Sequence, residues 1–97
     1  MLPTNYLVEF LGTFVFLYII LESSGYETSQ PFVIAVGLIA AILMFGGVSG
    51  GHFNPAVTTM MWAKGSSGVE PIGYIIAQVA GGLVALKAHS MITAGKQ

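Results

Sequence analysis

The chain alternates long apolar stretches with short polar breaks, and one apolar stretch is too irregular to be a simple helix. The first run, about residues 4–22, carries a single charge in its interior, Glu9, and closes on Glu22. At 1.5 Å per residue it comes close to the roughly 30 Å of a bilayer's hydrocarbon core. Pro3 and Thr4 suit a helix start. Residues 23–30 are a polar loop, with Gly25 placed to turn the chain. From 28 to 63 no side chain carries a formal charge, a length too great for one span and too small for two. A helix over about 31–48 uses the first part. The remainder stays apolar, yet its Gly50-Gly51 and Asn54-Pro55 pairs interrupt regular structure.

Lipid tolerates broken backbone only where protein buries it or a wet cavity receives it. The pattern therefore predicts a re-entrant segment, a loop over 49–54 followed by a half-helix over 55–63. Such a helix is about 14 Å long, roughly half a bilayer. Lys64 to Gly68 form a polar exit, and a third span follows over about 70–92 with Pro71 in its first turn. Gly73, Ala77, Gly81 and Ala85 repeat at spacing four along it, which lets membrane helices approach closely. Gly46, Gly47, Gly50 and Gly51 make two further pairs at that spacing. Small residues are common in membrane helices, so one pair would mean little; four in register predict a packed face. The expected fold is an all-α membrane protein: one domain of three transmembrane helices plus a re-entrant half-helix.

Composition agrees with this pattern. Of 97 residues 55% are hydrophobic and 7% charged, against about 25% charged in soluble domains. So few charges cannot cover a small globule in water, and lipid is the expected solvent. The net charge of −1 gives no basic field for nucleic acid. The absence of cysteine excludes a disulfide framework and thiolate metal sites. No basic side chain precedes the first apolar run, so it is expected to be retained as a span rather than removed as a signal peptide. His52, His89, Glu9 and Glu70 show neither ligand nor nucleophile spacing. No enzyme activity, metal or cofactor is expected.

The chemistry concentrates at Asn54. Asn is among the best helix N-caps and Pro is favoured at the first helical position, so Asn54-Pro55 reads as the start of the half-helix. If the side-chain oxygen of Asn54 caps the helix, its NH2 points into the space beyond, near the membrane midplane. The half-helix dipole places about half a positive charge there, which disfavours cations. Residues 49–53 are expected to approach in extended form and expose backbone carbonyls, with Gly50 and Gly51 permitting a tight path. A donor at the centre and a ladder of acceptors would let water or a small polyol exchange hydrogen bonds. An ordinary Asn-Pro turn, commoner in soluble loops, would leave those carbonyls unsatisfied in lipid.

Ser49-Gly50-Gly51-His52-Phe53-Asn54-Pro55-Ala56-Val57-Thr58 closely resembles the first signature loop of the major intrinsic proteins, the aquaporins and aquaglyceroporins. Glu9-Phe10-Leu11-Gly12-Thr13 resembles that family's first-helix motif, and Tyr74-Ile75-Ile76-Ala77-Gln78 the start of its third helix. The resemblance implies that Asn54 is the central donor and that Pro55 and Ala56 meet an opposing half-helix tip. It implies that the carbonyls of Gly50, Gly51, His52 and Phe53 line a pore. Glu9 would brace the loop from behind, as an intramembrane carboxylate needs a partner. His52 would hold the loop, and Gln78 would brace the loop or a neighbouring helix. Ile34 aligns, without gaps, with an aromatic constriction residue of many members; a two-residue shift would place Val36 there instead.

The family's fold has two inverted repeats, the second supplying a selectivity arginine after its Asn-Pro-Ala. Here Val57 follows Ala56, and a second such loop is absent. One half-helix cannot enclose a pore, so the expectation is a passive channel for water or small neutral solutes such as glycerol, built from two or more half-repeat chains. An antiparallel homodimer, or an assembly of such dimers, would restore inverted symmetry; a second half-repeat chain could serve instead. Lys64 on one face and Lys87 and Lys96 on the other do not fix an orientation. The alternative is a non-conducting membrane scaffold that uses its small-residue faces to pack into a larger assembly.

Overall fold

The computed structural model describes residues 3–95. Four α-helices follow one another: α1 (Pro3–Glu22), α2 (Gln30–Ser49), α3 (Pro55–Ala63) and α4 (Pro71–Gly95). A short 3-10 turn over Ser23–Gly25 leads out of α1. Among the described residues there is no strand. α1, α2 and α4 are each long and apolar enough to cross a membrane, whereas α3 has nine residues.

Local chemistry sets the helix ends. α2 carries Pro31 in its first turn and stops at Gly50, whose φ of 95° only glycine adopts freely. The Gly50 N–H closes the helix on the Gly46 carbonyl at 2.9 Å. α4 starts where the Glu70 carboxylate accepts from the backbone N–H groups of Ile72 and Gly73, satisfying donors that a first turn leaves free. It runs on to Gly95 rather than ending near residue 92, because neither Pro nor Gly interrupts residues 83–94.

α1 is the central helix, packed on α4 along one side and α2 on another, while α3 lies against α4. The small-residue face of α4 makes the first contact possible. A side chain at Gly81 would come within 2.6 Å of the Phe10 carbonyl oxygen, and one at Gly73 would overlap the Tyr6 ring. Ala77 and Ala85 are buried on the same face. Outward, Leu7, Phe32, Leu43, Ile72, Leu83 and Met91 are exposed. In water such a surface would be a liability; against acyl chains it is the ordinary exterior of a spanning bundle.

Candidate functional site

The loop between α2 and α3 is organised by one acid. Glu9 is wholly buried on α1, and its carboxylate accepts four hydrogen bonds. Oε2 receives the Ser49 hydroxyl at 2.6 Å and the His52 backbone N–H at 3.1 Å. Oε1 receives the Phe53 backbone N–H and the Gln78 side-chain amide, both at 2.9 Å. Two consecutive N–H groups converging on one anion form a nest. Every peptide bond here is trans, and in a trans peptide the C=O points opposite to the N–H. By binding the N–H groups of His52 and Phe53, Glu9 therefore turns the carbonyls of Gly51 and His52 away from itself.

Around this carboxylate lies a continuous buried network. The Gln78 amide also donates to Thr58 Oγ1 at 2.8 Å, so its NH2 links Glu9 to α3. Thr58 Oγ1 sits 2.9 Å from His52 Nδ1. Thr58 is fully buried and that nitrogen is the sole acceptor for its hydroxyl among the described residues, which assigns the ring proton to Nε2. The Tyr74 hydroxyl donates to the Ser49 carbonyl at 2.7 Å and ties the end of α2 to α4.

The loop is not extended. Gly50, Gly51 and Phe53 all have positive φ, at 95°, 64° and 53°. The left-handed turns bring consecutive N–H groups to one side, which an extended strand, with its alternating amides, cannot do. Gly51 also has no room for a side chain beyond ordinary contact, since a Cβ would stand 3.2 Å from the Gly46 Cα. For Phe53 the conformation costs about 1–2 kcal/mol. The N–H bond to Glu9 offsets it, and the ring is buried against Gly12 and edge-on to Phe45 at 6.4 Å.

Asn54 begins α3 with φ −159° and ψ 123°, and its Oδ1 accepts from the Ala56 N–H at 2.8 Å. Its Nδ2 has no partner among the described residues, and Asn54, Pro55 and Ala56 are exposed at the helix tip. No hydrogen bond among the described residues ends on the carbonyls of Gly50, Gly51, His52 or Phe53. Four consecutive carbonyls and the Asn54 amide thus lack partners among the described residues. Beside the tip a cavity of about 270 Å³ lies between α1 and α4, lined by Thr13, Leu17, Phe53, Pro55, Gln78 and Leu83 among others.

The structure gathers Glu9, Gln78 and residues 50–56 around this loop, whereas Gly73, Ala77, Gly81 and Ala85 lie along the α1–α4 contact and Ile34 stands apart. Ile34 is half-buried in the second turn of α2 and is not among the residues lining that cavity, while Val36 is exposed and lines an apolar groove between α1 and α2. Three further contributors, Thr58, Ser49 and Tyr74, act through side chains that the sequence motifs contained without showing their partners. Spacing held one clue: Tyr74 and Gln78 stand four apart on the face of α4 that includes Ala77 and Gly81.

This fold and loop define a class, the polytopic membrane protein of three long apolar helices with a short helix set between the second and third. The Major intrinsic protein family model matches residues 2–97, and the chain belongs to that family. It is accordingly an integral, multi-pass membrane protein, in a family of channels rather than enzymes. It is 43% identical over 88 residues to glycerol uptake facilitator protein-like 6 of Lactiplantibacillus plantarum, covering 84% of this chain and 40% of that one. It is 39% identical to aquaporin Z of Photorhabdus laumondii over 91% of this chain and 43% of the relative. With aquaporin AqpM of Methanothermobacter marburgensis it shares 32% identity over 77% and 42% of the respective lengths. The chain thus spans about two-fifths of the length of these relatives. No solved structure matches it.

Proposed function

We propose that this chain supplies one half of the wall of a passive pore for water and small neutral solutes such as glycerol. A second half-repeat would complete it: an oppositely oriented copy of this chain or a different half-repeat. The reading is carried by the row of unpaired carbonyls from Gly50 to Phe53 ending at the unpaired Asn54 amide. A water entering lipid loses its hydrogen bonds, a cost of several kcal/mol. A ladder of fixed acceptors replaces those bonds one at a time. At the ladder's end Nδ2 takes the solute oxygen, and the N-terminus of α3 adds a positive potential that repels cations. Glu9 and Gln78 keep the ladder facing the solute, and α3 ends partway through the bilayer with Asn54 near the midplane.

The names of the relatives, a glycerol uptake facilitator and an aquaporin, support both solute classes. Packing within the chain weakens the scaffold reading, since the small-residue face of α4 that a packing subunit would offer is already occupied by α1. The test is osmotic swelling of proteoliposomes in water and in glycerol gradients, with insertion verified. Permeability above that of empty vesicles is expected; equality with them rejects conduction. Tags at both ends, probed for sidedness, decide between one orientation and two.

A further inference from the structure

Glu9 explains the direction of two carbonyls, those of Gly51 and His52, because it binds the N–H of each of those peptides. The next carbonyl, that of Phe53, belongs to the peptide that carries the Asn54 N–H, which Glu9 does not touch. Its direction follows from the backbone angles at Phe53 itself, where φ is 53°. A bulky residue leaves the left-handed region readily unless its surroundings hold it there. The surroundings here are specific. The Phe53 ring is 3% exposed and lies flush on Gly12 of α1, where any Cβ would overlap it. Phe45 of α2 meets it edge-on at 6.4 Å, so the ring is held between two helices.

We infer that Phe53 and Gly12 form a ring-in-notch latch that positions the last acceptor and Asn54, making them positioning residues for the pore. The inference rests on the pore reading above, but the latch itself is a statement about backbone geometry. The notch accepts the ring only if residue 12 has no side chain, and the seated ring denies Phe53 the rotation back to negative φ. Glu9 and the latch therefore divide the loop between them: the acid orients the carbonyls before Phe53, and the ring orients the one after it. A displaced ring would tilt the Phe53 carbonyl and shift Asn54 while leaving the Glu9 network in place.

The test uses the full chain in bilayers, as wild type, Gly12→Ala, Phe53→Ala and the double variant. Backbone chemical shifts of labelled Phe53 in the wild type should be those of a left-handed residue. In Gly12→Ala they should move, while those of Gln78 and Thr58 stay. Water permeability per inserted chain should fall about tenfold in Gly12→Ala, and the double variant should be no worse than Phe53→Ala alone, because both changes remove one contact. The ratio of glycerol to water permeability should change with them, which mere loss of folded protein would not produce. Unmoved Phe53 shifts in Gly12→Ala, or losses that multiply in the double variant, would overturn the latch. Wild-type permeability equal to empty vesicles would instead reject the pore reading, and the chemical shifts would still decide on the latch.

Discussion

The two contacts of α1 are built on opposite principles. Toward α4 and the loop, α1 presents buried polar groups: Glu9 at its centre, with Gln78, Thr58, His52 and Ser49 gathered round it. Toward α2 it presents Ile19 to Gly37, beside an open groove of about 470 Å³ lined by Phe32, Val33, Val36 and Ala40. The first contact is directional and largely hydrogen-bonded, with only Thr13 Oγ1 and Gln78 Oε1 buried without a partner among the described residues; the second is dispersion between apolar surfaces. In lipid this difference matters more than in water, because acyl chains replace lost apolar contacts almost for nothing, while nothing in the hydrocarbon replaces a lost hydrogen bond. Fold precision is thus concentrated where the loop must be held.

Substitutions at four positions sharpen or break that contrast. Glu9→Ala should have the largest effect. It strands the N–H groups of His52 and Phe53, the Ser49 hydroxyl and one Gln78 hydrogen, at about 1–3 kcal/mol for each that finds no new partner. Flux should fall to the level of empty vesicles, with thermal unfolding in detergent markedly earlier. Retained flux would mean that the carboxylate does not organise the loop. Gly81→Ala comes next. Its Cβ would meet the Phe10 carbonyl oxygen at 2.6 Å and the Phe14 nitrogen at 3.2 Å, both backbone atoms that cannot rotate aside. Separation of α1 from α4 at this point should cost about 1–3 kcal/mol in unfolding measurements.

Asn54 separates capping from conduction. Asn54→Asp keeps an oxygen on the Ala56 N–H, so the helix start should survive with a stability change near zero, while the donor is lost. Asn54→Ala removes both and should cost about 1 kcal/mol more. If flux tracks the donor, both variants should conduct poorly although only one is destabilised. Equal flux in Asn54→Asp and wild type would detach the side-chain amide from transport.

How much of this was legible before the fold was known varies with the range of the interaction. The half-helix over Pro55–Ala63 was readable because its start is encoded locally, by a capping Asn and a first-turn Pro. The spans were readable from length and charge; motif resemblance implied that Glu9 braces the loop and that Gln78 braces the loop or a neighbouring helix, and Gln78 bonds Glu9 and Thr58 of α3. The conformation of the loop was not. Its backbone is left-handed at Phe53, a residue type that gives no local sign of it, and the reason lies in a glycine on a different helix. Thr58 and Tyr74 were hidden for the same reason: their partners, Gln78 and His52 for one and Ser49 for the other, become neighbours only after the helices assemble.

The smallest expected effect is the most useful control. A Cβ at Gly37 would meet Ile19 Cγ2 at 2.9 Å and Cδ1 at 3.0 Å, which looks as tight as several contacts of the α4 face. Those atoms, however, are side-chain rather than backbone atoms beside an open apolar groove, so a rotamer change at Ile19, itself disfavoured for a β-branched residue in a helix, or a small shift into space that lipid fills relieves the contact. Alanine also has the higher helix propensity, by roughly 0.8–1 kcal/mol, which offsets the rotamer change. Gly37→Ala should therefore shift unfolding by no more than about 0.5 kcal/mol and leave flux at the wild-type level. A loss as large as that of Gly81→Ala would show that the α1–α2 contact is as exacting as the α1–α4 contact. The division of labour between the two sides of α1 would then have to be abandoned, and α2 would have to be counted with α4 among the elements that hold the loop.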